Sequence, residues 1–326
     1  MTVPSTPRAP FLGAYAMAPA APEDARAFYA ALAELPLGGL EVPVPPQGAD
    51  GGRLGWDTGV HPDWDLLATC IPTVMGRLGE RPAYGLASAD DDARAQALAD
   101  VRHAADQAVR LADRDGRRRV AAIQVHSAPG PGLGSPEALS RSLAEILTWD
   151  LAGAQVLLEH CDALVPGQAP AKGFLTLTDE IGAIGQVLGG SAGARGGAPA
   201  AGSGVLGLSI NWGRSAIEGR SVRTPVEHVS AAAEAGLLRA VVLSGATDAD
   251  TAWGPAWGDA HIPPRGDDDA LATSAASLLD AEAVRATLAA AGPACLVAVK
   301  VSVRPKDADV ATRLAVARAA LELAVA

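Results

Sequence analysis

Cysteine, methionine, phenylalanine and tyrosine each occur only three times in this chain of 326 residues. Cys70, Cys161 and Cys295 are too few, and odd in number, for a disulfide framework. All three lie in or near apolar runs, as buried thiols in a reducing cytoplasm do. Positive charge is also sparse: 26 Lys and Arg face 37 Asp and Glu, for a net charge of −11. The basic residues are scattered, and without a basic stripe a nucleic-acid surface is excluded; the acidity serves solubility. No apolar run approaches the ~20 residues of a membrane span. Prolines interrupt the opening MTVPSTPRAPFLGAYA, which leaves no signal-peptide core. The expectation is a soluble, cytoplasmic protein with no nucleic-acid or membrane partner.

What is present is apolar residue in short, regular runs. Hydrophobic residues make up 49% of the chain, enough for one large core, so residues 1–326 read as a single domain. Strand-like runs fall near 11–17, 39–44, 66–71, 119–126, 154–161, 204–211, 239–244 and 294–301. Amphipathic, Ala-rich stretches of helical length fall near 22–34, 89–113, 136–152, 174–188, 225–235, 270–290 and 307–325. The connection 45–65 is rich in Gly, Pro and Asp, which disfavours a full helix. Eight strands with helix-length crossovers predict an α/β fold, a (β/α)8 TIM barrel. A doubly wound open sheet is the alternative, but no Gly-rich phosphate loop follows the first strand. The Gly-rich stretch 189–204 precedes a strand instead of opening a helix, and reads as a flexible surface loop.

Strand side chains alternate with period two, and this sorts the polar residues. Leu206, Leu208 and Ile210 share one face; Gly207, Ser209 and Asn211 share the other. Gln124 and His126 oppose Ile123 and Val125; Val242 and Ser244 oppose Val241 and Leu243; Ala298 and Lys300 oppose Val297, Val299 and Val301. In VLLEHCDA (156–163), Glu159 and Cys161 then face inward, His160 packs outward, and Asp162 begins a loop. The quartet is therefore no four-ligand metal box. The branched apolar face packs on helices, and the polar face lines the C-terminal mouth, where barrel enzymes keep their sites. Glu41, His126, Glu159, Asn211, Ser244 and Lys300 should converge there. An inward carboxylate and ammonium are costly unless paired or solvated.

The order of these residues resembles the xylose isomerase-like barrels, which include sugar isomerases, ketose epimerases and endonuclease-type relatives. The fourth strand ends in His, as in IQVHSAPG; the fifth ends in Glu, as in LLEHCD; and WGDAHIPPRGDDD (257–269) is similar to the segment that follows the family's seventh strand. More narrowly, the chain is similar to an uncharacterised bacterial family within this superfamily, one of unknown function. The resemblance implies a divalent metal held by side chains after strands five to eight. Only Glu159 matches that set; Asn211, Ser244 and Lys300 occupy the other three positions. Asn and Ser are weak ligands and a protonated Lys is none, so a family-type metal is disfavoured and no cofactor is expected.

A lysine ammonium can fill the vacated charge position. The expectation is that Lys300 pairs with Glu159 across the mouth. Proton transfer beside a carbonyl would then use Glu159 as base, Lys300 to polarise the oxygen, Asn211 as a donor, and His126 or His261 as second acid/base group. A Schiff base on Lys300 is disfavoured, because Glu159 would hold the amine protonated. Six Trp against three Phe and three Tyr is a skewed choice. Trp56 and Trp64 flank His61, while Trp212, Trp253 and Trp257 follow strands six and seven, where indoles can stack on sugar C–H faces. Glu41, Trp212, Arg214, Ser244, Trp257, Asp259 and His261 complete the candidate substrate contacts, with Arg214 able to grip a carboxylate or phosphate. His103 and His228 read as structural or solvent-facing. The functional expectation is an isomerase/epimerase-like barrel for a sugar-like small molecule, working without the usual metal. The alternatives are a non-catalytic carbohydrate-binding barrel, and a metal-dependent hydrolase or lyase whose site is rebuilt from Asp259 and His261. Barrels of this type can self-associate through their helices into homo-oligomers.

Overall fold

Short runs of branched apolar residues bounded by turns make strands, and each run here pairs with the next in the chain. The computed structural model describes residues 9–45, 60–193 and 205–325. In sequence order, β1 (Phe11–Leu12), β2 (Gly39–Pro43), β3 (Asp65–Thr69), β4 (Val120–Val125), β5 (Gln155–His160), β6 (Leu206–Asn211), β7 (Leu238–Leu243) and β8 (Leu296–Val299) close into one parallel barrel. The fold is a (β/α)8 TIM barrel. Around it run α1 (Pro22–Ala31), α2 (Ile71–Glu80), α3 (Asp91–Asp115), α4 (Pro136–Ile146), α5 (Leu177–Gly193), α6 (Trp212–Gly219), α7 (Thr224–Glu234), α8 (Ala281–Ala291) and α9 (Val310–Val325).

The alternation read from the sequence divides two cores. Leu206, Leu208, Ile210, Ile123, Val125, Val241, Leu243 and Val299 belong to the large cluster between barrel and helices. Phe11, Leu67, Ala122, Leu157, Ala240, Val242 and Ala298 fill the barrel itself. Above that apolar plug Gln124 donates to Ser209 Oγ at 3.1 Å. The charged residues come next, at the C-terminal ends of the strands.

Several element boundaries differ from expectation. The first strand stops after Leu12, and Ala14–Ala16 form a 3₁₀ turn. The third stops at Thr69, because α2 begins at Ile71 with Pro72 in its first turn, where a missing N–H costs nothing. Helix α4 ends at Ile146, short of the expected 152. The stretch expected as a helix over 270–290 is a 3₁₀ segment, Asp269–Ser274, followed by α8 with Asp280 as its N-cap. Helix α5 continues to Gly193, so the first part of the Gly-rich stretch is helical. The rest of that stretch and most of the 45–65 connection lie outside the described residues. Among the described residues no helix is long and apolar enough to cross a membrane.

Candidate functional site

The register of β1 builds one half of the site. This strand lies between β8 and β2, with Phe11 opposite both Ala298 and Gly39. Two residues on, the same register sets Gly13 between Lys300 and Glu41. Gly13 has no side chain, so the lysine stem passes over it. Lys300 Nζ donates to Glu41 Oε1 at 2.7 Å, and both side chains are fully buried. Tyr15, carried by the 3₁₀ turn, sets its ring 5.2 Å from the ammonium. The pairing of Lys300 with Glu159 expected from the sequence is therefore corrected. Around the closed barrel β5 lies three strands from β8, whereas only β1 separates β2 from β8, and the β2 carboxylate is reached first.

A Cβ on Gly13 would lie 2.9 Å from Lys300 Cγ and 3.2 Å from Glu41 Oε2. Gly13→Ala is thus expected to cost about 1–3 kcal/mol by overpacking, read as a lowered denaturation midpoint. A control at Gly116, where a Cβ meets nothing within 4 Å but φ is +65°, would report backbone strain without crowding the site.

The other half is built on Glu159. His126, at the end of β4, places Nε2 2.8 Å from Glu159 Oε2. Asn211, at the end of β6, splits its amide. Its Oδ1 caps α6 by accepting from Arg214 N at 3.3 Å, and its Nδ2 donates to Glu159 Oε1 at 3.1 Å. The same cap starts the helix that carries Arg214, whose Nη1 lies 2.8 Å from Glu159 Oε1 and donates to Cys161 Sγ at 3.3 Å. Arg214 is not the surface cation that a residue just past a strand end usually is. It is a buried helical one, because α6 begins directly after β6.

Arg214 Nε also reaches Asp259 Oδ2 at 3.3 Å, and Lys172 reaches the same oxygen at 3.0 Å. His261 Nδ1 sits 3.3 Å from Asp259 Oδ1 and 2.9 Å from Ser244 Oγ. His261 holds φ at +51° and Trp257 at +60°, left-handed values that bulky residues rarely adopt. Three cations, Lys300, Arg214 and Lys172, thereby alternate with Glu41, Glu159 and Asp259.

These neighbours separate the carboxyl groups in acidity. Burial lifts Glu41 above the ordinary carboxylate range; Lys300 opposes this and Glu159 adds to it. Burial would lift Glu159 too, but Arg214, Lys300 and the His126 hydrogen bond outweigh it and hold Glu159 well below that range. Burial works against the Lys300 ammonium, yet Glu41, Tyr15 and Glu159 more than restore it, so the amine keeps its proton. Burial keeps His126 below its ordinary value, and brings His261 down to about 4. Burial raises the Cys161 thiol and leaves it unreactive. Glu41 Oε2 and His126 Nδ1 have no hydrogen-bond partner among the described residues.

The described tryptophans make separate contacts. Trp212 is buried in the core between barrel and helices, not on the ligand side as its position after β6 suggested. Trp64 is buried just before β3, at the opposite end of the barrel. Trp253 donates Nε1 to Thr273 O at 2.8 Å, and Trp257 lies under Arg220, 5.3 Å from ring centroid to guanidinium carbon. Trp56 lies outside the described residues. His103 sits on α3, part-exposed, and His228 is packed among side chains instead of facing solvent. Tyr15, Gly13 and Lys172 were missed. The barrel order offered a signal for Gly13; Lys172 sits in an irregular loop that carries none.

Comparison with known proteins agrees with this geometry at the level of fold and family. A curated relative, "Uncharacterized protein STM3670" of Salmonella typhimurium (strain LT2), is 33% identical over 265 residues, 77% of each chain. A solved xylose isomerase domain containing protein from Salmonella typhimurium LT2 superposes with a TM-score of 0.58 at 11% identity, covering 98% of both chains. D-psicose 3-epimerase from Clostridium cellulolyticum H10, solved with D-tagatose, gives 0.55 at 16% identity and 97% of both. Residues 11–316 match the family described as "Domain of unknown function (DUF4862)", and the chain belongs to that family.

Proposed function

We propose that this barrel moves a proton beside the carbonyl of a sugar or sugar derivative, using protein cations where the resemblance to xylose isomerase-like barrels implies a metal. The observation that carries this reading is the buried Lys300–Glu41 pair, with Glu41 Oε2 unpartnered beside it. Two nearby carboxyls pushed apart in acidity is the pattern by which acid/base roles are assigned. Glu159, held ionised by three donors, is a weak base and serves as an anchor. Glu41, raised above the ordinary carboxylate range, is the better base, so the role expected of Glu159 moves to Glu41. Glu41 Oε2 takes the proton from carbon, the electron pair passes to the carbonyl oxygen, and Lys300 stabilises that oxyanion. Return of the proton to the first carbon from its other face gives the epimer; its delivery to the neighbouring carbon of the enediolate, with the hydroxyl proton passing between the two oxygens, gives the isomer.

The residues at the mouth do not suit a divalent cation. Both Glu159 oxygens are taken, the Asn211 carbonyl caps a helix, Ser244 is bonded to His261, and Lys300 is itself a cation. Asp259 is bound by Lys172 and Arg214, which argues against a metal site rebuilt from Asp259 and His261. The part-exposed Lys172, Asp259 and His261 form the outer rim, and a ligand enters by displacing Lys172 from Asp259.

The test is deuterium exchange. Chelator-treated protein is incubated with panels of ketoses and aldoses in deuterated water, and label is sought at the carbon beside the carbonyl. We expect exchange that falls 10²–10⁴-fold in Glu41→Gln. Its acid limb should lie above the ordinary glutamate range, because only ionised Glu41 accepts the proton and burial raises its folded value. Exchange unchanged by Glu41→Gln would overturn the assignment. The saturation of Glu159 favours one other reading, a barrel that binds sugars without turnover, and binding without exchange would select it.

A further inference from the structure

His160 follows Glu159 directly, yet faces the opposite side of the barrel wall. There it meets residues from three helices. Its Nε2 lies 3.0 Å from Glu218 Oε2 on α6. His228, on α7, directs its own Nε2 at Glu218 Oε1 from 3.7 Å. One ligand atom from each of the three side chains lies within 4.8 Å of the other two. The two imidazoles cross edge to face at 4.9 Å.

Both rings are held from behind. His160 Nδ1 sits 2.8 Å from Glu180 Oε2 on α5, and Glu180 is fixed by Ser127 Oγ at 2.5 Å. His228 Nδ1 sits 3.0 Å from Ser215 Oγ. The amide of Ala163 donates to Glu218 Oε2 at 2.7 Å. Two Nε2 atoms aimed at one carboxylate, each with Nδ1 tethered to a carboxylate or hydroxyl, is the outer-partner arrangement that orients metal-binding histidines.

We propose that His160, Glu218 and His228 bind a divalent transition-metal ion, zinc by the chemistry of two imidazoles and one carboxylate, outside the barrel and separate from the mouth. Bonds of about 2.0–2.1 Å in a tetrahedral shell set ligand atoms roughly 3.3 Å apart. The observed 3.0 and 3.7 Å bracket that spacing. On binding, His160 Nε2 releases its proton to solvent, and the ion takes over as the bridge to Glu218. A solvent molecule completes the fourth position. The Glu218 and His228 side chains are each 15% exposed, so the ion enters from the helical side. Once bound, it ties β5 to α6 and α7. Helix α6 is the one that carries Arg214, so the site clamps the scaffold behind Glu159 and Arg214.

The test uses the full chain, stripped with chelator and titrated with zinc chloride against a chromogenic zinc chelator, with thermal melting in parallel and cobalt(II) absorption as a second readout. We expect one zinc per chain, a melting temperature that rises with zinc concentration, and a tetrahedral cobalt spectrum with nitrogen and oxygen ligation. His228→Gln should abolish all three while leaving the metal-free melt close to the parent's. Glu180→Gln, which touches no ion, should weaken zinc 10–100-fold, and it keeps the test alive should His228→Gln fail to fold. Asp259→Asn, at the mouth, should leave zinc binding unchanged. Absence of stoichiometric zinc, or zinc binding indifferent to both His228→Gln and Glu180→Gln, would overturn the proposal.

Discussion

Lys300→Met is expected to destabilise the protein by about 3–5 kcal/mol and to lower solvent exchange at least 10²-fold. The stability loss follows from what remains. Methionine fills much of the lysine's volume, so little cavity forms. Glu41 keeps its place, fully buried, with no cation on Oε1 and no partner on Oε2. A buried charge without a counter-charge is far costlier than a buried pair is beneficial. The double variant Glu41→Gln with Lys300→Met separates the two roles. It removes both charges and should regain most of the lost stability, since a neutral replacement for a buried pair is often neutral or favourable. It should regain none of the activity, because both the base and the group that steadies the oxyanion are gone. Equilibrium denaturation of the four proteins gives the coupling energy of the pair directly. Additive effects would show that the two groups do not interact.

Arg214→Met should have an effect of similar size for a different reason. One guanidinium holds Glu159, Asp259 and the Cys161 sulfur together, and it is almost completely buried. Its removal leaves two carboxylates facing each other. Each keeps some support, Glu159 from His126 and Asn211, Asp259 from Lys172 and His261. We expect about 3–5 kcal/mol of lost stability. Arg214→Lys should recover only part of it, because an ammonium on a shorter reach cannot span three partners with a planar fork. Urea denaturation of parent, Arg214→Lys and Arg214→Met should rank them in that order. A lysine variant as stable as the parent would mean that charge alone, without the fork, holds the site.

The inward set at the mouth was legible because strand alternation is a strong signal. His126, Glu159, Asn211, Ser244 and Lys300 each stand opposite a run of branched apolar neighbours, and each occupies the strand end that the pattern assigns. What alternation does not give is which inward residues touch. That depends on strand order and register. Lys300 meets Glu41 and not Glu159 because β1 is a two-residue strand followed by a glycine, over which a neighbour's side chain can lie. FLGAYAM reads as a longer strand, which hides both the open position at Gly13 and the turn that carries Tyr15. Arg214 was under-read because α6 has no turn before it: the last residue of β6, Asn211, is also the helix cap. Trp212 was over-read for the same reason. A residue expected in a mouth loop is instead the first of a helix, and its ring falls into the shell. Lys172 had no pattern to betray it, since its place is set by the path of a loop.

His160 shows both the reach of alternation and its limit. The period of two sends it outward, as it is found. The partners it meets there come from α5, α6 and α7, and helix packing alone brings Glu180, Glu218 and His228 to one point.

The most direct test of a mouth built on protein cations is a crystal structure of the purified protein with anomalous diffraction recorded at the manganese and zinc edges. We expect Lys300 Nζ in hydrogen-bond contact with Glu41, Arg214 on Glu159, and no anomalous peak within bonding range, about 2.0–2.2 Å, of a Glu159 oxygen. A peak bonded to Glu159, with the lysine amine turned away from Glu41, would contradict it.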